Sequence, residues 1–189
     1  MGFIQRDTLL FLGLYIVFAL MLVRKKQSAP VRWGRFAAGI VMPALADFVL
    51  DAGVLFLAGS EAVSRENEWI AAACPIAVWI IMCAVHLAAC MLLARACSED
   101  MKKVPLSVRI GAVLFAAAGV LFCIYEQWYV QTVISQMQES LENGTFSYQD
   151  PMLNTPFVMI SNMELILKGI FVVWLMAGVM RAQRKQRLF

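Results

Sequence analysis

The third apolar run of the chain decides the class of fold. Residues 70–94 read IAAACPIAVWIIMCAVHLAACMLLA, a run of 25 residues that contains no Asp, Glu, Lys or Arg. As an α-helix this run would be about 38 Å long, which exceeds the ~30 Å hydrocarbon core of a bilayer. An uncharged run of this length predicts a transmembrane helix.

The rest of the chain has the same apolar character. Further apolar runs cover 8–23, 36–58, 110–129 and 157–180, so the sequence predicts five spans. Of all residues, 61% are hydrophobic and 15% are charged, and the mean hydropathy is +0.73. Because a typical soluble domain has about 25% charged residues, a water-soluble fold is excluded. We expect an all-α, polytopic transmembrane bundle that forms a single domain over 1–189.

The fourth helix is expected to continue beyond the bilayer. Apolar residues recur at helical spacing from Val130 to Leu141, and Asn143-Gly144 is a typical C-cap sequence. We therefore expect the helix to run from 110 to about 142 and the segment 130–155 to project outside the membrane. Thr155-Pro156 predicts the N-cap and first residue of the fifth helix.

The distribution of basic residues predicts the orientation. The segments 24–35, 95–109 and 181–189 hold five, four and four of the 16 Lys and Arg residues. Basic loops stay in the cytoplasm, so we expect the N-terminus outside and the C-terminus cytoplasmic. The net charge of +3 is spread over these loops, which favours membrane lipids over nucleic acid as a partner. The expected location is the bacterial inner (plasma) membrane.

Polar residues within the predicted spans are the candidate ligand-binding site. A charged side chain at mid-bilayer costs about 2.5–3.5 kcal/mol, and such residues normally face a bundle interior or a wet cavity. We expect six of them to line a pocket in the outer half of the bilayer, where the second, fourth and fifth helices meet. They are Asp47, Asp51, Glu126, Asn162, Glu164 and Lys168.

Helical spacing relates these residues to one another. Asp47 and Asp51 are spaced i,i+4, and so are Glu164 and Lys168, with the acid first, which is the favourable order. Counted from the basic ends of the apolar runs, Asp47 lies about 16 Å up and Lys168 about 18 Å up. The matched heights predict that charges from separate helices converge.

Three functions remain open for such a site. The first is binding or transport of a cation, a proton or a small amine-bearing solute. The second is a non-catalytic structural or assembly subunit, forming homo- or hetero-oligomers through its transmembrane helices, in which the pair Asp47 and Lys168 only locks two helices. The small residues between Gly111 and Gly119 provide a close-packing face, which supports this second role. The third is an intramembrane hydrolase that uses two carboxyls as acid and base.

Cys83, His86 and Cys90 form a second group on one face of the third span. Two thiols and an imidazole can bind Cu(I) or Zn²⁺. Cysteine also packs as a small hydrophobic residue in membrane helices, so we expect no metal and no cofactor here. His86 is expected to act as an interhelical hydrogen-bonding residue or a proton relay. No P-loop, GxSxG, HExxH or dinucleotide-binding motif occurs, which favours a non-enzymatic role.

Overall fold

The protein is a bundle of long α-helices. The computed structural model describes residues 2–24, 31–58, 68–97, 104–144 and 151–186. These residues form the helices α1 (Gly2–Arg24), α2 (Trp33–Ala58), α3 (Glu68–Cys97), α4 (Leu106–Glu142) and α5 (Pro151–Gln186), and they include no strand. The prediction of an all-helical bundle is confirmed.

The helices have the length and composition of membrane spans. Four of them contain apolar stretches long enough to cross a bilayer, at Trp33–Leu50, Ala73–Cys97, Leu106–Glu142 and Asn162–Arg184. The apolar part of α1, Thr8–Arg24, is shorter. Since the whole of α1 has 23 residues and is about 35 Å long, four to five helices can cross the membrane.

The distribution of side chains is that of a membrane protein. Large apolar side chains such as Leu9, Val113 and Leu121 point outward, with about two thirds of their surface exposed (65%, 69% and 68%). The buried polar or charged residues identified in the described part are Asp47 and His86. Lipid can cover the apolar exterior, whereas the polar groups are kept inside the bundle.

Helix α3 is the centre of the bundle. It packs against all four other helices, while α1 packs against α2 and α5, and α5 packs against α4. The outer helices therefore follow the order α2, α1, α5, α4 around α3. The backbone N–H of Arg32 donates to the carbonyl oxygen of Ala96 (3.2 Å), which holds the start of α2 against the end of α3.

This order corrects one expectation. In the described residues α2 does not pack directly against α4 or α5. The fourth and fifth helices pack together as expected, but the expected direct packing of the second helix on them is wrong, because α1 and α3 lie beside α2 instead. Heights along the helices follow from the 1.5 Å rise per residue, but they carry no information on the order of helices around the bundle.

Glycines allow the close approach of the helices. A Cβ at Gly111 would overlap the indole of Trp174, and a Cβ at Gly119 would overlap the indole of Trp79. The Trp79 Nε1–H also donates to the carbonyl oxygen of Phe115 on α4 (3.3 Å). The small residues of α4 are thus a packing face, as predicted.

The sequence predicted the end of α4 correctly and the start of α5 incorrectly. Helix α4 runs to Glu142, and its C-cap Asn143 is followed by Gly144 with φ +67°, so the predicted end of the helix and its C-cap are confirmed. With 37 residues, α4 is about 56 Å long. Helix α5 begins at Pro151 rather than at Pro156. The helix start at Thr155-Pro156 is wrong, since Pro151 is equally suited to a first helical turn.

Candidate functional site

Asp47 is the most deeply buried acid identified in the described residues. It lies on α2 with 2% of its surface exposed. The hydroxyl of Thr8 on α1 donates a hydrogen bond to its Oδ2 at 3.1 Å. This bond replaces part of the hydration that the carboxylate loses on burial.

Lys168 and Glu164 form an ion pair on α5. The Lys168 Nζ lies 2.9 Å from the Glu164 Oε1, as their i,i+4 spacing predicts. The Lys168 side chain is 12% exposed and that of Glu164 is 36% exposed. The ammonium is therefore the more deeply buried member of the pair, which favours its interaction with other charges inside the bundle.

Charges from three helices meet around Lys168. Asp47 on α2 interacts electrostatically with both Lys168 and Glu164. The half-buried Glu126 on α4 interacts with the same two groups. We call Thr8, Asp47, Glu126, Glu164 and Lys168 the charged cluster. It brings together four of the six residues predicted from the sequence.

The other two predicted residues are Asp51 and Asn162. Asp51 lies on α2 one turn beyond Asp47, and its side chain is outside the described residues. Asn162 is partly buried on α5 two residues before Glu164. Residues spaced i,i+2 do not face each other on a helix, so Asn162 lies on a different face of α5 from the ion pair.

Thr8 is the member of the charged cluster that sequence reasoning missed. It lies about 24 Å along α1 from Arg24, and Asp47 lies about 21 Å along α2 from Trp33. The matched heights of a hydroxyl and a carboxyl on consecutive helices were the available signal. A lone threonine in a membrane helix is, however, usually bonded within its own helix, so it draws little attention.

Tyr15, His86 and Cys90 form a second buried group, which we call the imidazole cluster. The Tyr15 Oη lies 3.0 Å from His86 Nδ1, 3.2 Å from the His86 carbonyl oxygen and 3.7 Å from Cys90 Sγ. Tyr15 is fully buried, and His86 is 2% exposed. The predicted interhelical role of His86 agrees with this contact to α1, whereas Tyr15 was not predicted.

Aromatic rings lie against the imidazole cluster. The rings of Phe11 and Phe171 pack against His86 with centroid distances of 5.2 and 6.4 Å. On α1, Phe11 lies between Thr8 and Tyr15 on one face, at i+3 and i+7 spacing. On α5, Phe171 lies three residues beyond Lys168. Counted along α1, Phe11 therefore lies at a height between Thr8 of the charged cluster and Tyr15 of the imidazole cluster.

The thiols of α3 provide no visible metal centre. Cys83, His86 and Cys90 are all buried on α3. The described residues contain no group of three or more His, Cys, Asp or Glu side chains placed to hold a metal ion. The alternative of a metal site at these three residues therefore receives no support from the described part of the chain.

Comparison with known proteins identifies no relative of this chain, so the site is interpreted from its own chemistry. The chain matches no protein-family model, and no similar curated protein or solved structure was found for it. The class of protein that fold and site define is an α-helical membrane bundle with an acidic interior cluster.

Proposed function

We propose that this membrane protein binds or transports a cation, a proton or a small amine-bearing solute at the charged cluster. The observation that carries the proposal is the deep burial of Asp47 within electrostatic range of Lys168 and Glu164 on α5, which also interact with Glu126 on α4. Ionisable groups inside membrane spans are costly and normally mark a pathway or a binding site.

The balance of charge argues against a purely structural ion pair. Lys168 already has a carboxylate partner at 2.9 Å, Glu164, on its own helix. Asp47 and Glu126 add two more carboxyls within electrostatic range of the same ammonium. A pair that only locks helices needs one acid for each base, because every further buried charge adds a desolvation cost. An excess of acids favours a positively charged ligand.

The proposal includes an orientation and a location. The basic residues of 24–35, 95–109 and 181–189 support a cytoplasmic placement of the ends of the helices nearest to them. The charged cluster would then lie toward the extracytoplasmic side. A helical bundle is the architecture of inner rather than outer bacterial membranes, which supports the inner (plasma) membrane.

An uptake assay in proteoliposomes tests the proposed function. Three probes are used: the proton, radiolabelled Na⁺ and radiolabelled methylammonium. Proton entry is measured with a pH-sensitive dye entrapped in the liposomes. We expect one of them to enter faster than it enters empty liposomes, and Asp47→Asn to lower that rate at least tenfold. Glu139→Gln is the matched control, because Glu139 is an exposed acid on α4. Equal rates for Asp47→Asn and the unmodified protein would contradict the proposal.

A role as a subunit of a larger membrane complex is the second candidate. It is favoured by the extension of α4, on which Ile134 and Leu141 are exposed. An apolar surface beyond the bilayer is typical of a protein contact. The test is size-exclusion chromatography of the protein extracted in mild detergent. Ile134→Glu with Leu141→Glu should release a stable partner or second copy, and an unchanged monomeric profile of the unmodified protein would eliminate this role.

A further inference from the structure

The hydrogen bonds of Tyr15 determine the tautomer of His86. A phenol has one proton to donate and two lone pairs that accept. The carbonyl oxygen of His86 can only accept, so the Tyr15 O–H donates to it at 3.2 Å. The Tyr15 Oη is then left to accept from the N–H of His86 Nδ1 at 3.0 Å and from the Cys90 thiol at 3.7 Å. All three contacts are satisfied only when Nδ1 carries the proton.

This tautomer leaves His86 Nε2 as a bare lone pair. In a neutral imidazole one ring nitrogen donates and the other accepts. His86 is 2% exposed, and its Nε2 has no hydrogen-bond partner among the described residues. A buried polar atom without a partner is uncommon and calls for a functional explanation or a bound water. The unpartnered atom here, His86 Nε2, is a nitrogen with a free lone pair and can therefore accept a proton.

The titratable groups around His86 come from three helices. Tyr15 faces it from α1, Cys90 from its own helix, and Lys168 acts on it electrostatically from α5. Lys168 also interacts with Asp47 in the charged cluster. The same ammonium is therefore within electrostatic range of both the buried carboxyl and the buried imidazole, where it favours the Asp47 carboxylate and opposes a positive charge on His86.

The packing between the clusters selects among the three candidate ligands. Phe11 and Phe171 are almost completely buried, and their rings lie against the imidazole. An amine-bearing solute would have to displace both rings to reach His86. A proton moves along a file of hydrogen-bonded water molecules. Of the three candidate ligands (cation, proton and amine-bearing solute), it therefore requires the narrowest opening. Thr8 and Tyr15, the α1 partners of the two clusters, are separated by about 10 Å along the helix axis, so several water molecules in a chain are needed.

We infer that the mobile species is a proton and that His86 Nε2 accepts it from Asp47. This inference rests on the proposed function of the charged cluster. The O–H bond at Asp47 breaks as the first of a chain of water molecules takes that proton, each water passes one of its own protons to the next, and the last proton passed on forms the N–H bond at Nε2. The products are a carboxylate beside Lys168 and an imidazolium whose Nδ1–H still donates to Tyr15. The reverse step returns the proton to Asp47.

Nitrogen NMR tests the tautomer directly. The chain has one histidine, so protein labelled with ¹⁵N-histidine in lipid gives a single pair of ring signals. We expect Nδ1 to show the shift of a protonated nitrogen and Nε2 that of an unprotonated one at neutral pH. Tyr15→Phe should remove this preference, whereas Tyr129→Phe, on α4, should retain it. A protonated Nε2 with a bare Nδ1 in the unmodified protein would overturn the inference.

Proteoliposome uptake separates this inference from the function on which it rests. We expect proton entry, rather than Na⁺ or methylammonium entry, to exceed the rate of empty liposomes, and His86→Gln to lower it at least tenfold. If Asp47→Asn lowers uptake but His86→Gln and Tyr15→Phe do not, the function stands and the inference fails. If Asp47→Asn has no effect, the proposed function fails, while the NMR result still decides the tautomer of His86.

Discussion

The Asp47 carboxyl is held inside the bundle by a hydroxyl from a neighbouring helix. Thr8 supplies this donor at 3.1 Å, and Lys168 supplies the nearby positive charge. At the residue scale the site therefore depends on a neutral donor as well as on charged groups. A hydrogen bond to a charged acceptor contributes more to stability than one between neutral groups.

Thr8→Val tests this contribution at the residue scale. Valine has a similar shape but no hydroxyl, so the Asp47 oxygen loses its donor without a large change in packing. We expect the free energy of unfolding to fall by about 1–2 kcal/mol, measured by denaturant titration in mixed micelles. Thr8→Ser retains the hydroxyl and should stay close to the unmodified protein. If Thr8→Ser lowered the free energy of unfolding as much as Thr8→Val does, the effect would be due to packing and not to the hydroxyl.

Helix α4 is fitted to its neighbours by glycine opposite tryptophan. Gly119 receives the indole of Trp79 from α3, and Gly111 receives the indole of Trp174 from α5. These contacts fix both the rotation of α4 and its distance from two helices at once. The direction in which Glu126 points, about two turns beyond Gly119, is thereby determined at the scale of the element.

Gly119→Ala tests this fit. The added Cβ would overlap the buried Trp79 ring, so the ring or the helix must move. We expect a loss of about 1–3 kcal/mol in the free energy of unfolding, measured as above. Gly13→Ala is the matched control, because a Cβ at Gly13 on α1 meets nothing within 4 Å. Equal stability of the two variants would show that α4 is not held by this contact.

At the scale of the whole molecule, the order of helices places α3 at the centre and leaves α2 and α4 unpacked against each other in the described residues. Asp47 is within electrostatic range of the charges of α5 although α2 and α5 do not pack directly, and α1 packs against both of these helices. The site therefore depends on the arrangement of the complete bundle and not on one helix pair.

Reporter fusions test the orientation of the whole molecule. With basic segments in the cytoplasm, green fluorescent protein fused after Phe189 should fluoresce in bacterial cells. Alkaline phosphatase fused after Asn143, at the end of α4, should be active because that end is expected outside. Active phosphatase after Phe189, together with inactive phosphatase after Asn143, would reverse the orientation and place the charged cluster toward the cytoplasm.

The amino-acid sequence by itself determined the class of fold, the apolar runs and the heights of the charged groups. These properties are local, since hydropathy identifies a span and the rise of 1.5 Å per residue gives the depth of Asp47 or Lys168 within it. The extension of α4 and its C-cap at Asn143-Gly144 were predictable for the same reason.

Only the tertiary structure decided which faces meet. Thr8 as the donor to Asp47, and Tyr15 as the partner of His86, depend on how α1 is rotated against α2 and α3. The expected meeting of the second helix with the fourth and fifth failed for the same reason. Helix order around the bundle results from side-chain packing between distant parts of the chain, and hydropathy within a single span carries no record of it.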